Sequence, residues 1–132
     1  MKLTAAEGHA ETELHSAAWD GDVTWAKELI SKGANVNQSD SIGEIPLHGA
    51  AAHGNTEMVI FLLEQGSSSN IVSYDGLAPI HWAASHGNVD TVAALIEAGA
   101  DLKQKDSQGR TALDIAKSRK SQDIVNLLNA ST

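Results

Sequence analysis

Two pairs of histidines carry the residue type that most often binds metals and transfers protons. The strings HGAAAHGN and HWAASHGN place His48 five residues before His53 and His81 five residues before His86. On a helix this spacing turns the second side chain by about 140° from the first, whereas a zinc-binding pair uses an i, i+4 spacing on one face. If His53 and His86 shared one ion across neighbouring helices, roughly 8–10 Å apart, a third ligand would be missing. We therefore expect no metal site and no cofactor.

Catalytic motifs are also missing from the sequence. It holds no G-x-S-x-G, G-x-x-x-x-G-K or H-E-x-x-H string that would give its serines, histidines and aspartates a reactive arrangement. Cysteine is absent, which excludes disulfides, thiolate zinc sites and cysteine nucleophiles and favours a reducing compartment. These observations predict a protein that is not an enzyme, with a weak hydrolase or a metal-dependent activity as the remaining catalytic alternative.

The histidines belong to an internal repeat of 33 residues. His15, His48 and His81 share one column of this repeat, and Asp114 stands in the same column of a fourth unit. Nine of the eleven glycines fall in three further columns: Gly21, Gly54 and Gly87; Gly33, Gly66 and Gly99; and Gly43, Gly76 and Gly109. A period of this length is typical of a solenoid of short stacked units, and it explains the glycines without a phosphate-binding loop.

Each unit has the pattern of a turn followed by two short helices. Asp40-Ser41-Ile42-Gly43 has the composition of a type I turn, and Pro46 follows where a helix can begin without losing a hydrogen bond. We predict the first helices at residues 13–19, 46–52, 79–85 and 112–118. The second helices are predicted to start after four residues of N-capping type, Asp22, Asn55, Asn88 and Ser121. Helices this short depend on stacking against the next unit.

Two stretches of this repeat closely resemble a known family. GEIPLHGAAAHGNTEMVIFLLEQGSSSN and GLAPIHWAASHGNVDTVAALIEAGAD are similar to the ankyrin repeat, whose pattern runs G-x-T-P-L-H-x-A-A-x-x-G-H/N and ends in G-A-x-x-N. The resemblance implies an all-α solenoid of helix pairs with projecting hairpin loops, and a role in binding other proteins. It also implies that His15, His48 and His81 are structural and tie loop to helix. We divide one domain, 1–132, into units 7–39, 40–72, 73–105 and 106–132 after a short extension, 1–6.

The terminal units depart from the family pattern. Ala10 and Glu13 replace the turn glycine and the proline in the first unit, and Lys120 and Asn129 replace a glycine and an apolar residue in the last. Polar substitutions at both ends are what capping repeats require, so we expect a complete small protein. In the middle units Ile45 and Ala78 replace the threonine that usually caps the first helix, at a cost of about 1 kcal/mol each.

The net charge of −8 is unevenly distributed. Residues 1–102 carry 14 acidic and 3 basic side chains, and residues 33–102 carry no Lys or Arg at all. Such a surface repels nucleic acid and anionic membranes and attracts cationic partners. The basic side chains of residues 103–132 favour solubility, with docking to an acidic patch as the alternative. The first residues lack the apolar run of a signal peptide, so we expect an unexported protein, cytoplasmic or nuclear, with no membrane span.

Tryptophan is the residue type most open to two interpretations. Trp25 falls in a column of core residues of the second helix, and we expect it to be core. Trp82 is expected to be partly buried beside Gly49 of the neighbouring unit. Trp19 shares a column with Ala52 and Ser85 that borders the groove of ankyrin-like stacks, so it either anchors a partner or covers the edge of the first unit.

The predicted binding surface combines the hairpin tips with the edge of this groove. Its members are Trp19, Asp20, Asp40, Ile42, Glu44, His53, Tyr74, Asp75, Leu77, His86, Arg110 and Arg119. We predict a monomeric interaction module or adaptor that binds a protein presenting a basic or apolar segment. The alternative is an inhibitor or regulatory subunit that blocks an enzyme's active site.

Overall fold

The computed structural model describes residues 12–132 as four pairs of antiparallel helices without a strand in that range. In chain order the helices are α1 (Glu13–Asp20), α2 (Val23–Ser31), α3 (Pro46–Ala52), α4 (Thr56–Glu64), α5 (Pro79–Ser85), α6 (Val89–Glu97), α7 (Ala112–Ser118) and α8 (Gln122–Ala130). The extension 1–6 and the predicted start of the first unit, with Ala10, lie outside the described residues. Among the described residues no helix is long and apolar enough to cross a bilayer.

The helices form two rows. The inner row consists of α1, α3, α5 and α7, each packed on the next, and the outer row consists of α2, α4, α6 and α8. Paired alanines on the inner helices, such as Ala50-Ala51 and Ala83-Ala84, are fully buried, and their small side chains let neighbouring helices approach closely. Leu62, Leu95 and Leu128 of the outer row close the core from the other side. The core therefore runs as a continuous layer through all four pairs.

Helix ends follow the predicted glycine pattern in three units and the predicted side-chain caps of the second helices in two. Gly21 takes a left-handed conformation with φ of 73° at the end of α1, and its N–H bonds back into the helix. Lys120 occupies the equivalent place after α7 with φ of 59°, a conformation that costs a residue with a Cβ about 1 kcal/mol. Asp22 and Asn88 cap the following helices through their side chains, whereas Asn55 and Ser121, at the same position, form no side-chain cap bond.

The column of structural histidines joins each unit to the next. His15 Nε2 lies 2.8 Å from the carbonyl oxygen of Glu44, and His48 Nε2 lies 2.8 Å from that of Leu77. His81 Nε2 lies 3.1 and 3.2 Å from the carbonyl oxygens of Gln104 and Arg110. Each ring therefore reaches the hairpin of the following unit, in agreement with a structural role.

His48 and His81 partly replace the hydrogen bonds that were expected to be lost at Ile45 and Ala78. Neither side chain caps its helix, but the Ile45 N–H donates to His48 Nδ1 at 3.0 Å and the Ala78 N–H donates to His81 Nδ1 at 2.9 Å. The hydrogen bond that is missing is therefore the one from the histidine N–H to a threonine hydroxyl at the cap position. Ile45 is also fully buried, so its apolar side chain contributes to the core instead.

The hairpins before α3, α5 and α7 are joined edge to edge. The Tyr74 N–H donates to the Ile42 carbonyl at 3.0 Å, and the Ser107 N–H donates to the Asp75 carbonyl at 2.8 Å. Inside the first of these hairpins, Asp40 Oδ1 accepts hydrogen bonds from the N–H groups of Ile42 and Glu44, both at 2.9 Å. The tips therefore stand in a fixed line beside the inner row.

Candidate functional site

A groove of about 760 Å³ runs along the inner row beside the first hairpin. We call it the central groove. Seven of the predicted binding residues line it: Trp19, Asp20, Asp40, Ile42, Glu44, His53 and His86. Its floor is formed by residues of α1, α3 and the turn before α3, which include His15, Ser16, Ile45, Pro46, His48, Gly49 and Ala52, and Trp82 of α5 completes it. The groove therefore draws on three consecutive helix pairs.

Trp19 forms one aromatic side of the central groove. It is 55% exposed, and its ring meets the ring of His53 edge to face, with centroids 3.9 Å apart and planes at 62°. A Cβ on Gly49 would lie 3.3 Å from Trp19 Cε3, so the glycine leaves room for this ring. The expectation that Trp82 is partly buried is confirmed, but the ring packed closest to Gly49 is that of Trp19 in the preceding unit.

Trp82, two units further along the stack, also lines the central groove and is half-buried. Its indole Nε1–H donates to Glu44 Oε2 at 2.8 Å, a contact that joins residues 38 positions apart. Its ring lies beside that of His86, with centroids 5.8 Å apart. Sequence reasoning assigned Trp82 to packing and missed this contact; the available signal was that a half-buried indole N–H needs an acceptor.

Glu44 is the most perturbed acid of the central groove. Burial raises its pKa above the ordinary value of 4.5, the hydrogen bond from Trp82 lowers it, and the charges of Asp40 and Asp75 raise it further. The net direction is upward, so the ionised carboxylate is less stable here than in water. The charged groups that act on the pKa of Glu44 are Asp40 and Asp75, both acidic.

The remaining predicted residues fall outside the central groove. Tyr74 is 79% exposed at its hairpin tip, where a Cβ on Gly43 would lie 2.8 Å from the Tyr74 ring, and the neighbouring Asp75 is also exposed. Leu77, Arg110 and Arg119 line a separate pocket of about 180 Å³ on the other side of Trp82. Trp82 lines both the acidic central groove and this smaller basic pocket, whereas Tyr74 and Asp75 line neither.

The two arginines of the small pocket are held by side chains of this chain. Arg110 donates through Nε to Asp106 Oδ2 at 2.9 Å and pairs with it through Nη2 at 2.9 Å. Arg119 Nη2 donates to Ser85 Oγ at 3.2 Å. Burial opposes ionisation of Asp106, but the hydrogen bonds and charge of Arg110 together lower the pKa of that carboxyl below its ordinary value. These contacts give Arg110 a clear structural role at the hairpin.

Some of the predicted binding residues have a structural role in their hairpin, whereas others have none. One oxygen of Asp40 already holds the hairpin, so turn geometry alone accounts for this residue. Ile42 is 53% exposed at the same hairpin, and no turn requirement explains an isoleucine there. In residues 12–132 no group of three or more His, Asp or Glu side chains is arranged to hold a metal ion.

Comparison with known proteins identifies a family. A family model described as ankyrin repeats (3 copies) matches residues 14–106 and, in a second overlapping match, residues 69–131. A search of curated protein sequences gave no match. The two segments of the family match together cover nearly all of the sequence in which the 33-residue period was found.

Proposed function

Because the chain belongs to the ankyrin-repeat family, whose members are generally protein–protein interaction modules, we propose that it binds a partner protein through the central groove and the hairpin tips. The observation that supports this most is the groove itself, which collects seven predicted residues from three helix pairs. Its volume lies within the range of ligand-binding clefts, and exposed tryptophan is a frequent binding anchor.

The proposed mechanism is preorganisation. The hairpins are joined by backbone hydrogen bonds, and His15 and His48 fix the hairpins to the inner row before any partner arrives. Little conformational entropy is then lost on docking, so a moderate contact area can give useful affinity. The partner segment would be basic or apolar, because acidic residues and Trp19, Ile42 and Trp82 line the groove.

The proposal includes several finer points. The protein would act as a monomeric adaptor without catalytic activity, in the cytoplasm or nucleus. The unit boundaries at 40, 73 and 106 are part of it as well, supported by the observation that each predicted range contains one of the four helix pairs. Size-exclusion chromatography with light scattering checks the monomer, and imaging of the tagged chain in its native cell checks the location.

A matched pair of substitutions tests the binding surface. Ile42→Ala removes a 53% exposed side chain from the groove, and Ile60→Ala removes a 44% exposed side chain from the outer row. A partner isolated from the native cell and purified would be titrated by calorimetry with each variant. We expect Ile42→Ala to weaken binding roughly tenfold, because apolar area that the partner buries is lost, and Ile60→Ala to stay within about twofold.

The reverse order would contradict the proposal, because it would place the partner on the outer row. If the partner is an enzyme whose activity falls in proportion to complex formation, the protein is an inhibitor, and the adaptor assignment is wrong while the surface assignment holds.

A further inference from the structure

Only one of the two oxygens of the Glu44 carboxylate accepts a hydrogen bond from the described residues. Trp82 Nε1 donates to Oε2 at 2.8 Å, whereas no hydrogen bond from the described residues reaches Oε1. The side chain lines the central groove, so Oε1 is available to a group that enters from solvent. The bond to Trp82 fixes the position of the carboxylate, so a ligand need not order it.

No basic side chain of the described part of the protein supplies that partner. The ion pair that the structure describes joins Arg110 to Asp106, and Arg119 is bonded to Ser85. Asp40 and Asp75 act on Glu44 through their negative charges and, together with burial, raise its pKa. A carboxyl whose folded-state pKa is raised makes folding less favourable as pH rises through that pKa, so ionised Glu44 costs stability at neutral pH. A cation bound beside Oε1 would reverse this effect.

Two tryptophan rings line the groove and favour a particular kind of cation. Trp19 is exposed with its ring supported by His53, and Trp82 is supported by His86. Tryptophan is the aromatic residue that attracts cations most strongly to its face. A guanidinium group is planar, stacks on aromatic rings and is more weakly hydrated than an ammonium group, so it loses less when it enters a half-buried groove.

We propose that the central groove is a receptor site for an arginine side chain of the partner protein, which would donate to Glu44 Oε1 and lie against Trp19 and Trp82. The assignment rests on the proposed function and deepens it, since it names the chemistry of the partner segment. Charge complementarity supports it over an apolar segment, because four carboxylates, Asp20, Asp40, Glu44 and Asp75, lie in or beside the groove. Arginine is preferred to lysine because only the guanidinium group can stack and donate in the same plane.

The test uses the intact protein and three blocked tripeptides, Ala-X-Ala with arginine, citrulline or lysine at the centre. Citrulline has nearly the shape of arginine without its charge. The indole N–H signals of the three tryptophans report binding in nitrogen–proton correlation spectra, and single Trp→Phe variants assign them. We expect the arginine peptide to shift the Trp19 and Trp82 signals and to leave the signal of Trp25, on α2, in place. Binding of the citrulline and lysine peptides should be at least tenfold weaker.

A charge-matched pair of variants isolates Glu44. Glu44→Gln keeps an oxygen that can accept from Trp82 but removes the charge, and Glu64→Gln removes the same charge from the exposed end of α4. We expect Glu44→Gln to weaken binding of the arginine peptide roughly tenfold and Glu64→Gln to change it by less than twofold. Glu44→Gln should melt no lower than the wild type at pH 7, because ionised Glu44 costs stability, and this shows that the variant is folded.

Three results would overturn the inference: equal binding of the citrulline peptide, equal binding of the lysine peptide, or equal effects of the two Glu→Gln variants. These failures are distinct from failure of the proposed function. If the partner docks through Ile42 but the arginine peptide leaves Trp82 unmoved, the arginine site is wrong and the binding surface stands. If the peptide binds as expected but the partner docks on the outer row, the proposed function is wrong and the arginine site stands.

Discussion

At the scale of single residues, His48 shows how a reactive side chain becomes structural. Its Nδ1 accepts the Ile45 N–H, so the proton of the neutral ring is on Nε2, which donates to the Leu77 carbonyl. The ring is fully buried, and burial lowers its pKa below the ordinary value of 6.5. Both nitrogens are occupied by backbone groups, which leaves no lone pair for a metal and no proton for transfer. His53, five residues later, is exposed.

Substitution of His48 by alanine should destabilise the protein strongly. It leaves the Ile45 N–H and the Leu77 carbonyl without partners in the interior and creates a cavity, for a total cost of about 3 kcal/mol. Thermal unfolding followed by circular dichroism should show Tm lower by about 10 °C. His53→Ala is the matched control, and its Tm should stay within about 2 °C of the wild type. Equal losses in both variants would contradict the structural role of His48.

The buried His48 ring should also make the stability of the protein depend on pH. Because the folded-state pKa of His48 lies below 6.5, the unfolded chain binds a proton more readily than the folded protein as pH falls below that value. The contribution of neutral His48 is therefore complete above about pH 6.5 and is lost as pH falls towards the folded-state pKa. His48→Ala should show a shallower loss of Tm between pH 7 and pH 5 than the wild type.

At the scale of helices, the sequence predicted the inner row almost to the residue. Pro46 and Pro79 start α3 and α5, and left-handed glycines end the turns that follow, so the bounds 46–52 and 79–85 match the structure. Only α1 is longer than predicted, by one residue, Asp20. Prolines, glycines and caps act on the local backbone, which is why a single sequence reveals them.

The candidate site was less predictable because its contacts cross units. Glu44 and Trp82 lie 38 residues apart, and their hydrogen bond depends on side-chain rotamers that no column of the repeat specifies. The position beside Gly49 has the same origin: Trp19 of the first unit and Trp82 of the third lie on either side of the unit that holds Gly49, and the ring that packs on this glycine is that of Trp19. Repeat columns give the position of a residue on the stack, whereas the direction of a large side chain depends on its neighbours.

A threonine at residue 78 should stabilise α5. At the equivalent place before α1, Thr12 Oγ1 accepts the His15 N–H at 3.2 Å, whereas Ala78 leaves the N–H of His81 without a side-chain acceptor. Ala78→Thr should therefore raise the free energy of unfolding by about 1 kcal/mol, measured by urea denaturation. Thr111→Ala, which removes such a cap from α7, should lower it by a similar amount. Lower stability of Ala78→Thr would show that the interior cannot accept the larger side chain.

At the scale of the whole molecule, the stack separates stability from recognition. The interior is a continuous layer of aliphatic side chains with Met58, while the central groove is lined by acidic side chains and by Trp19 and Trp82. Side chains of the groove can therefore vary without loss of the core, which is how one family of scaffolds serves many partners. In this chain residues 1–102 carry 14 acidic and only 3 basic side chains, and three of the acids, Asp20, Asp40 and Glu44, line the central groove.

This charge should control the rate of association with a basic partner. Opposite charges accelerate encounter over distances that salt shortens, from a screening length of about 10 Å at 0.1 M to about 3 Å at 1 M. Stopped-flow fluorescence of the tryptophans should show an association rate constant that falls roughly tenfold between 0.05 and 0.5 M NaCl, while the dissociation rate constant changes by less than about threefold. Glu64→Gln should slightly lower the association rate constant at low salt, because it removes a charge outside the contact. Glu44→Gln should mainly raise the dissociation rate constant, because it removes a charge that pairs with the partner inside the contact. An association rate indifferent to salt would mean that the acidic surface does not steer the partner, and the charge would then have to be explained by solubility alone.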